Sequence, residues 1–447
     1  MTGYLSVIVA GIMSLQNPVQ APAGALTMDE AVQIAERNAF AVKLQKSAVE
    51  KSRQQFELSK AQLGPTAAAT GVYTKNGTET TVALGAGQPP IIVSPLDSKV
   101  VSLNVSFPID ISGNLHRLID AARAGYHAQQ QTLQASLNDA RLNARTAYLA
   151  VLRAQASVGV SNEALRNANA QLDQGRKLFA GQQIARVDVI RYESQVAQAN
   201  SDLLNAQNTL QTSKYALNDA LARPIETPVT LVDIQNLPTL PSNTTALVNN
   251  GETNRPEVKA YRNQIQSLVY TRRADMASLQ PTLGLGVGYQ RVIDPAGFTA
   301  VDATTTGTAT LNVPIFDSGA TKAKVKAAEQ DIVQAQINLQ QAQLGISQEV
   351  RNAVTNLASA KARLENADQQ VALSREVYRL ANIRQQAGEG TYVDVIDAEN
   401  TLTQSLNTQV GARYDFLLAY SQLQRAIGSD NVAEANAAST PSQGGSK

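Results

Sequence analysis

Any chemistry on this chain would have to come from acids, because the usual nucleophiles and ligands are scarce. There is no Cys, which removes thiol catalysis, disulfides and Cys-based zinc sites together. The 2 His residues, His116 and His127, stand on a predicted helix with no acid, Ser or Cys constellation around them. Only 4 Met occur, too few for a methionine ladder that would hold copper. No phosphate loop or nucleophile motif is present, so the reading is of a protein that is not an enzyme and carries no cofactor. What remains is Asp394 with Asp397, three residues apart at a helix start and hence on one face. Asp188 occupies the matching place in an earlier turn. Two readings are open. Thr391 and Asp394 make a plausible helix cap, and acids near an N-terminus are ordinary. Alternatively, symmetry-related copies would turn these side chains into rings of carboxylates, a cation-preferring constriction.

These turns belong to a chain that is written twice. Leu63-Gly64-Pro65-Thr66 returns 216 residues later as Leu279-Gln280-Pro281-Thr282. Val187-Asp188-Val189-Ile190 returns 206 residues later as Val393-Asp394-Val395-Ile396. That period is too long for a solenoid and implies two structural halves of one body. The expected division is a signal peptide over 1–25, a first repeat over 26–222 and an equatorial linker over 223–243. A second repeat over 244–427 and a disordered tail over 428–447, rich in Ser, Ala and Gly, complete it.

Each half predicts one very long helix and two shorter ones. From Leu115 to Ala180 no Pro interrupts the pattern, and a four-three spacing runs from Leu133 through Ala144, Val151 and Ala168 to Leu172. The same spacing runs from Leu339 through Val350, Leu357 and Val371 to Tyr378. A sustained seven-residue repeat specifies coiled-coil packing, and small seam residues imply close approach. Such a helix is on the order of 100 Å long. Thr27-x-x-Glu30 is a capping box that opens a shorter helix expected to reach Ala61. Another should run from Asp188 to Ala222, so that two short helices end to end match one long one.

Four segments alternate with period two: Thr66 to Thr74, Val101 to Phe107, Thr282 to Tyr289 and Thr308 to Ile315. One face is apolar and the other is Gly, Ser, Thr or Asn, which suits transmembrane β-strands around a wet lumen as well as a half-buried soluble sheet. Long tips at Lys75–Ser98 and Arg291–Thr304 resemble outer-surface loops. Four strands cannot close, and an open edge in lipid leaves backbone groups unsatisfied, so the barrel must be shared between chains. Three copies would supply twelve strands.

The 38 basic and 37 acidic residues leave a net charge of +1, so nothing marks a nucleic-acid partner. The apolar run Leu5–Leu15 followed by small residues at Ala21, Ala23 and Ala25 reads as a secretory signal.

Together the duplicated hairpin-plus-helix plan, Asn254-Arg255-Pro256-Glu257 and the run from Gly388 to Ala398 (GEGTYVDVIDA) resemble the TolC-like outer-membrane efflux family. The resemblance covers about Leu26 to Gly428. It implies an α+β membrane protein: a homotrimer with a twelve-stranded barrel in outer-membrane lipid and long antiparallel helices forming a periplasmic α-barrel. It also implies docking onto a periplasmic adaptor and an inner-membrane transporter, as an efflux or type I secretion duct. Asp394, Asp397 and Asp188 match the family's acidic constriction. Gly181, Arg186, Gly388, Gly390, Thr391 and Tyr392 fall in the turns that would dock the adaptor or gate the mouth. Where well-known members carry a closing Tyr and Arg, this chain has Gln385 and Gly390, which leaves Arg186, Arg191 or Arg384 as candidate partners for an acid. The rival reading is a periplasmic adaptor or another coiled-coil protein without a pore.

Overall fold

The structure is a computed structural model that describes residues 24–83, 85, 90–241, 243–293, 295 and 302–429. The expected signal segment lies outside these residues except for its last two, and the expected tail lies outside them beyond Ser429.

The helices follow the repeat closely. The long helices are α3 (Asn114–Ala180) and α7 (Ala320–Gln386), each 67 residues and offset by 206. After each comes a shorter partner, α4 (Arg186–Ala220) and α8 (Tyr392–Ile427). The predicted helix from Thr27 to Ala61 is instead two, α1 (Met28–Asn38) and α2 (Phe40–Ala61), divided at Ala39 with ψ 132°. The second half divides at the equivalent place, Arg255 with ψ 138°, between α5 (Thr244–Asn254) and α6 (Pro256–Met276). Pro256 explains the second break, since a residue before proline is pushed out of the helical region and proline suits a first helical position. In the first half Phe40 stands where Pro256 would be, so nothing local announces that break.

Four strands, β1 (Thr66–Lys75), β4 (Asp97–Ile109), β5 (Thr282–Ile293) and β6 (Ala303–Asn312), form one antiparallel sheet in the order β1-β4-β5-β6. The first tip, expected as a loop, contains a two-stranded ribbon, β2 (Thr80–Val82) with β3 (Ile91–Ser94). β6 stops at Asn312, so Val313 and Ile315, expected to continue it, lie past its end. The register stacks like with like. Leu103 faces Ala69 and Tyr289, Val105 faces Ala67 and Val287, and Leu283 faces Ile109 and Leu311. On the other face Ser102 meets Thr70 and Gln290, and Asn104 meets Ala68 and Gly288. Gly286 is required there, because a Cβ would stand 2.7 Å from Thr308 Oγ1.

The chain forms two compact units, and each takes segments from both repeats. One, comprising residues 47–131 and 259–341, holds the sheet and the adjoining helix segments. Within it Phe56 stacks on Tyr126 with centroids 6.4 Å apart, and Ser267 donates to the Ala121 carbonyl at 2.8 Å. His116, expected without an acid beside it, has Nδ1 2.5 Å from Asp110 Oδ2.

The other unit holds the remaining helix segments and the 223–243 stretch. Its seam on α7 is as predicted: Ile346, Val350, Ala353, Leu357, Ala360, Leu364, Ala367 and Val371 are all buried. Ser374 on α7 and Ser405 on α8 share a buried hydrogen bond of 2.8 Å, which only closely approaching helices allow. The 223–243 stretch is tied down, as Leu26 donates to Thr230 O and accepts from Val232 N–H. The hydroxyl of buried Tyr148 donates to Val232 O at 2.6 Å.

Candidate constriction at the helical turns

The α3–α4 and α7–α8 turns are each five residues long, and both end their long helix through a left-handed residue. In the second turn this is Gly388 (φ +78°), where glycine bears no steric cost. In the first it is Gln182 (φ +59°), 206 residues earlier, which does bear one. Gly181 beside it donates its N–H to Lys177 O at 3.0 Å. Gly390 serves close approach, since a Cβ there would lie 3.2 Å from Arg384 Cβ and from Gln385 N.

Asp394 sits in a complete capping box. It accepts from the Thr391 N–H at 2.9 Å, while Thr391 Oγ1 accepts from the Asp394 N–H at 3.2 Å. The Thr391 amide and hydroxyl, helped by the charge of Arg384, hold the Asp394 carboxyl below the usual range. Asp397 is one turn further on the same exposed face. Asp394, Asp397, Arg384 and Thr401 line an open groove of about 480 Å³ between α7 and α8. Asp188 caps α4 by accepting from the Ala185 N–H at 3.3 Å, and Arg191 lies 3.5 Å from it. Arg191 and Asp397 are equivalent positions, so the repeat has an ion pair in one turn and two acids in the other.

The remaining turn residues pack. Arg186 lies over the Phe179 ring at 6.0 Å. Tyr392 meets Tyr192 edge to face, with centroids 5.8 Å apart, beside Leu172, Val189 and Ile396. Gly175 lets the Tyr192 ring in, since a Cβ would come within 2.6 Å of it. Two further links join the hairpins: Gln195 Nε2 donates to Asn400 Oδ1 and Gln171 Nε2 to Glu399 Oε2, both at 2.7 Å. Sequence reasoning missed Glu399. Its repeat equivalent, Glu193, is in reach of Arg176 at the surface, whereas Glu399 is buried with 2% exposure. Burial pushes its carboxyl up to about 7, against the hydrogen bond from Gln171 and the nearby Asn167 amide. The signal was its place among the small and apolar residues Val395, Ala398 and Ser405 of the buried face.

A family model described as "Outer membrane efflux protein" matches residues 31–223 and again 247–429, most of the chain. The chain belongs to the outer membrane efflux proteins. Outer membrane efflux protein BepC of Brucella suis is 24% identical over 319 residues, covering 69% of this chain and 68% of BepC. Outer membrane protein TolC of Vibrio cholerae is 24% identical over 363 residues, covering 77% and 81%. The crystal structure of the Campylobacter jejuni CmeC outer membrane channel superimposes with a TM-score of 0.75 at 16% identity, covering 92% of this chain and 89% of CmeC. This outer membrane efflux protein therefore has the α+β fold of the outer-membrane channels, and its place is the outer membrane.

Proposed function

We propose that this efflux protein is the passive outer-membrane duct of a tripartite efflux or type I secretion system. Three copies share a twelve-stranded barrel and continue it as a helical tunnel, with a periplasmic adaptor opening the mouth and an inner-membrane transporter supplying energy. The sheet carries this reading. Its strands run 10 to 13 residues, the length of a transmembrane strand, with Leu103, Leu285, Val287, Tyr289 and Leu311 exposed on one face. Its two outer strands, β1 and β6, have free edges within one chain, a state lipid does not permit. A pore-less adaptor has no use for such a face. Relatives named for cation efflux, CusC of Escherichia coli, and for protease secretion, AprF of Pseudomonas aeruginosa, support a general duct.

At the mouth, Asp397 and Asp394 form stacked carboxylate rings in the trimer, with Asp188 beside them. The turn residues Gly181, Arg186, Gly388, Gly390, Thr391 and Tyr392 present the surface on which the adaptor docks. Extraction in detergent should yield a heat-sensitive trimer; a water-soluble monomer would overturn the reading. In planar bilayers Asp397→Asn, which leaves the Asp394 cap intact, should weaken cation preference, and unchanged selectivity would remove the rings from the account.

A further inference from the structure

Glu399 is the one deeply buried acid near the mouth that the duct reading does not use. It sits on α8 two residues beyond Asp397, between the two hairpins, and no ion pair reaches it among the described residues. What faces it is neutral. From α3 come Gln171, which donates to its Oε2 at 2.7 Å, and Asn167. From α7 the Tyr378 hydroxyl lies 3.4 Å from the same Gln171 nitrogen. From α4, Gln195 bonds the neighbouring Asn400.

Two oxygens here are buried without any hydrogen-bond partner, Glu399 Oε1 and Gln171 Oε1. Both are acceptors when Glu399 is ionised, so neither can satisfy the other. Leaving such groups unpaired in an apolar site is costly, and a buried unpaired charge is costlier. One proton removes all three defects. A proton on Oε1 would give the carboxyl a donor that Gln171 Oε1 can accept while Gln171 Nε2 continues to donate to Oε2, closing an acid–amide pair that joins α8 to α3.

We propose that Glu399 and Gln171 form a proton-binding site that clamps the two hairpins together when occupied and loosens them when empty. The proton site stands on this geometry alone; only its consequence for conduction rests on the duct reading. The sign follows from burial. A carboxyl raised in the folded state contributes full stability below its ordinary value of 4.5 and loses it as pH rises through about 7. The junction is therefore tight in mildly acidic surroundings and weaker above neutrality.

The site and its consequence have separate tests. The chain has no native Cys, so Gln195→Cys with Asn400→Cys places a thiol on each side of the junction without background. Capture of this pair by a short bismaleimide in the detergent-solubilised protein reads junction separation with no need for a pore. Over about pH 5 to 8 the captured fraction, corrected for thiol ionisation with an exposed control pair, should change severalfold. Glu399→Gln, neutral and nearly isosteric, should hold the low-pH value throughout. Gln171→Met, which removes the acceptor for that proton, should fail to reach the wild-type low-pH value. A wild-type capture profile flat in pH, or Glu399→Gln retaining the full transition, overturns the proton site. Open-channel lifetime in bilayers should then follow the same transition. If capture depends on pH and lifetime does not, the clamp's role in opening is overturned while the proton site stands.

Discussion

Replacing Arg255 by alanine should open the α5–α6 junction far more than loss of one surface charge would. The Arg255 side chain is 4% exposed and holds three groups. Nη2 donates to Glu257 at 2.7 Å, and Nη1 donates to Glu349 at 2.5 Å and to the Ala426 carbonyl at 3.2 Å. Burial works to raise Glu257, and the bond and charge of Arg255 more than offset it, holding it below the usual range. Removing one partner of a buried ion pair costs about 3–5 kcal/mol, because the other charge stays behind. Here Glu257 is 29% and Glu349 39% exposed, and Arg425 remains 2.6 Å from Glu349 and 3.5 Å from Glu257, which argues for less, about 2 kcal/mol. At 1.4 kcal/mol per decade, hydrogen exchange of amides around residues 251–258 should accelerate about 30-fold. The α4 amides, remote in sequence from the junction, serve as the internal reference. Arg255→Lys should recover only part of the protection, since one ammonium cannot reproduce the guanidinium's separate contacts. Acceleration below about threefold, or full rescue by lysine, would refute the argument that a buried network holds this joint.

Other expectations follow from single contacts. Gly175→Ala pushes a methyl against the Tyr192 ring and should cost about 1–3 kcal/mol in thermal unfolding, with Tyr192→Leu restoring part of it. Gly388→Ala should destabilise by about 1 kcal/mol, whereas Gln182→Gly, at the same left-handed position, should not. Gly286→Val should reduce the yield of heat-sensitive trimer on gels, and Thr308→Gly in the same chain should restore it. Asp394→Asn, which keeps an acceptor for the Thr391 N–H but removes the charge at the helix start, should lower the melting temperature slightly, and Asp397→Asn less. Because Asp394 is depressed, its cap is fully present above about pH 4 and fades only as pH falls further, which a melting series in acid would show.

The features legible in the sequence were those with a local period. The seven-residue seam, the alternation of the strands and the Thr27 and Thr391 caps each depend on neighbours within a few residues, so the first long helix, read from Leu115 to Ala180, runs from Asn114 to Ala180. The repeat itself also survived translation into structure, down to equal helices of 67 residues. The same locality explains the misses. Ala39 breaks a helix that no proline or glycine interrupts, and the break is visible only because the second half carries Pro256. The first tip paired into a ribbon because Thr81 finds Ile92, a partner its own neighbours cannot announce.

Tertiary structure alone decided what each acid became. Asp188, Asp394, Asp397 and Glu399 have the same carboxylate and lie in the first turns of their helices, yet Asp188 and Asp394 cap them, the first also meeting an arginine, while Asp397 faces an open groove and Glu399 is buried. It also decided that β4 lies beside β5, residues almost two hundred positions apart, with Leu103, Val105 and Phe107 on the same face as Tyr289, Val287 and Leu285. Periodicity specifies which face of an element is apolar. Only the partner that arrives from elsewhere in the chain specifies whether that face, and any charge on it, is taken out of water.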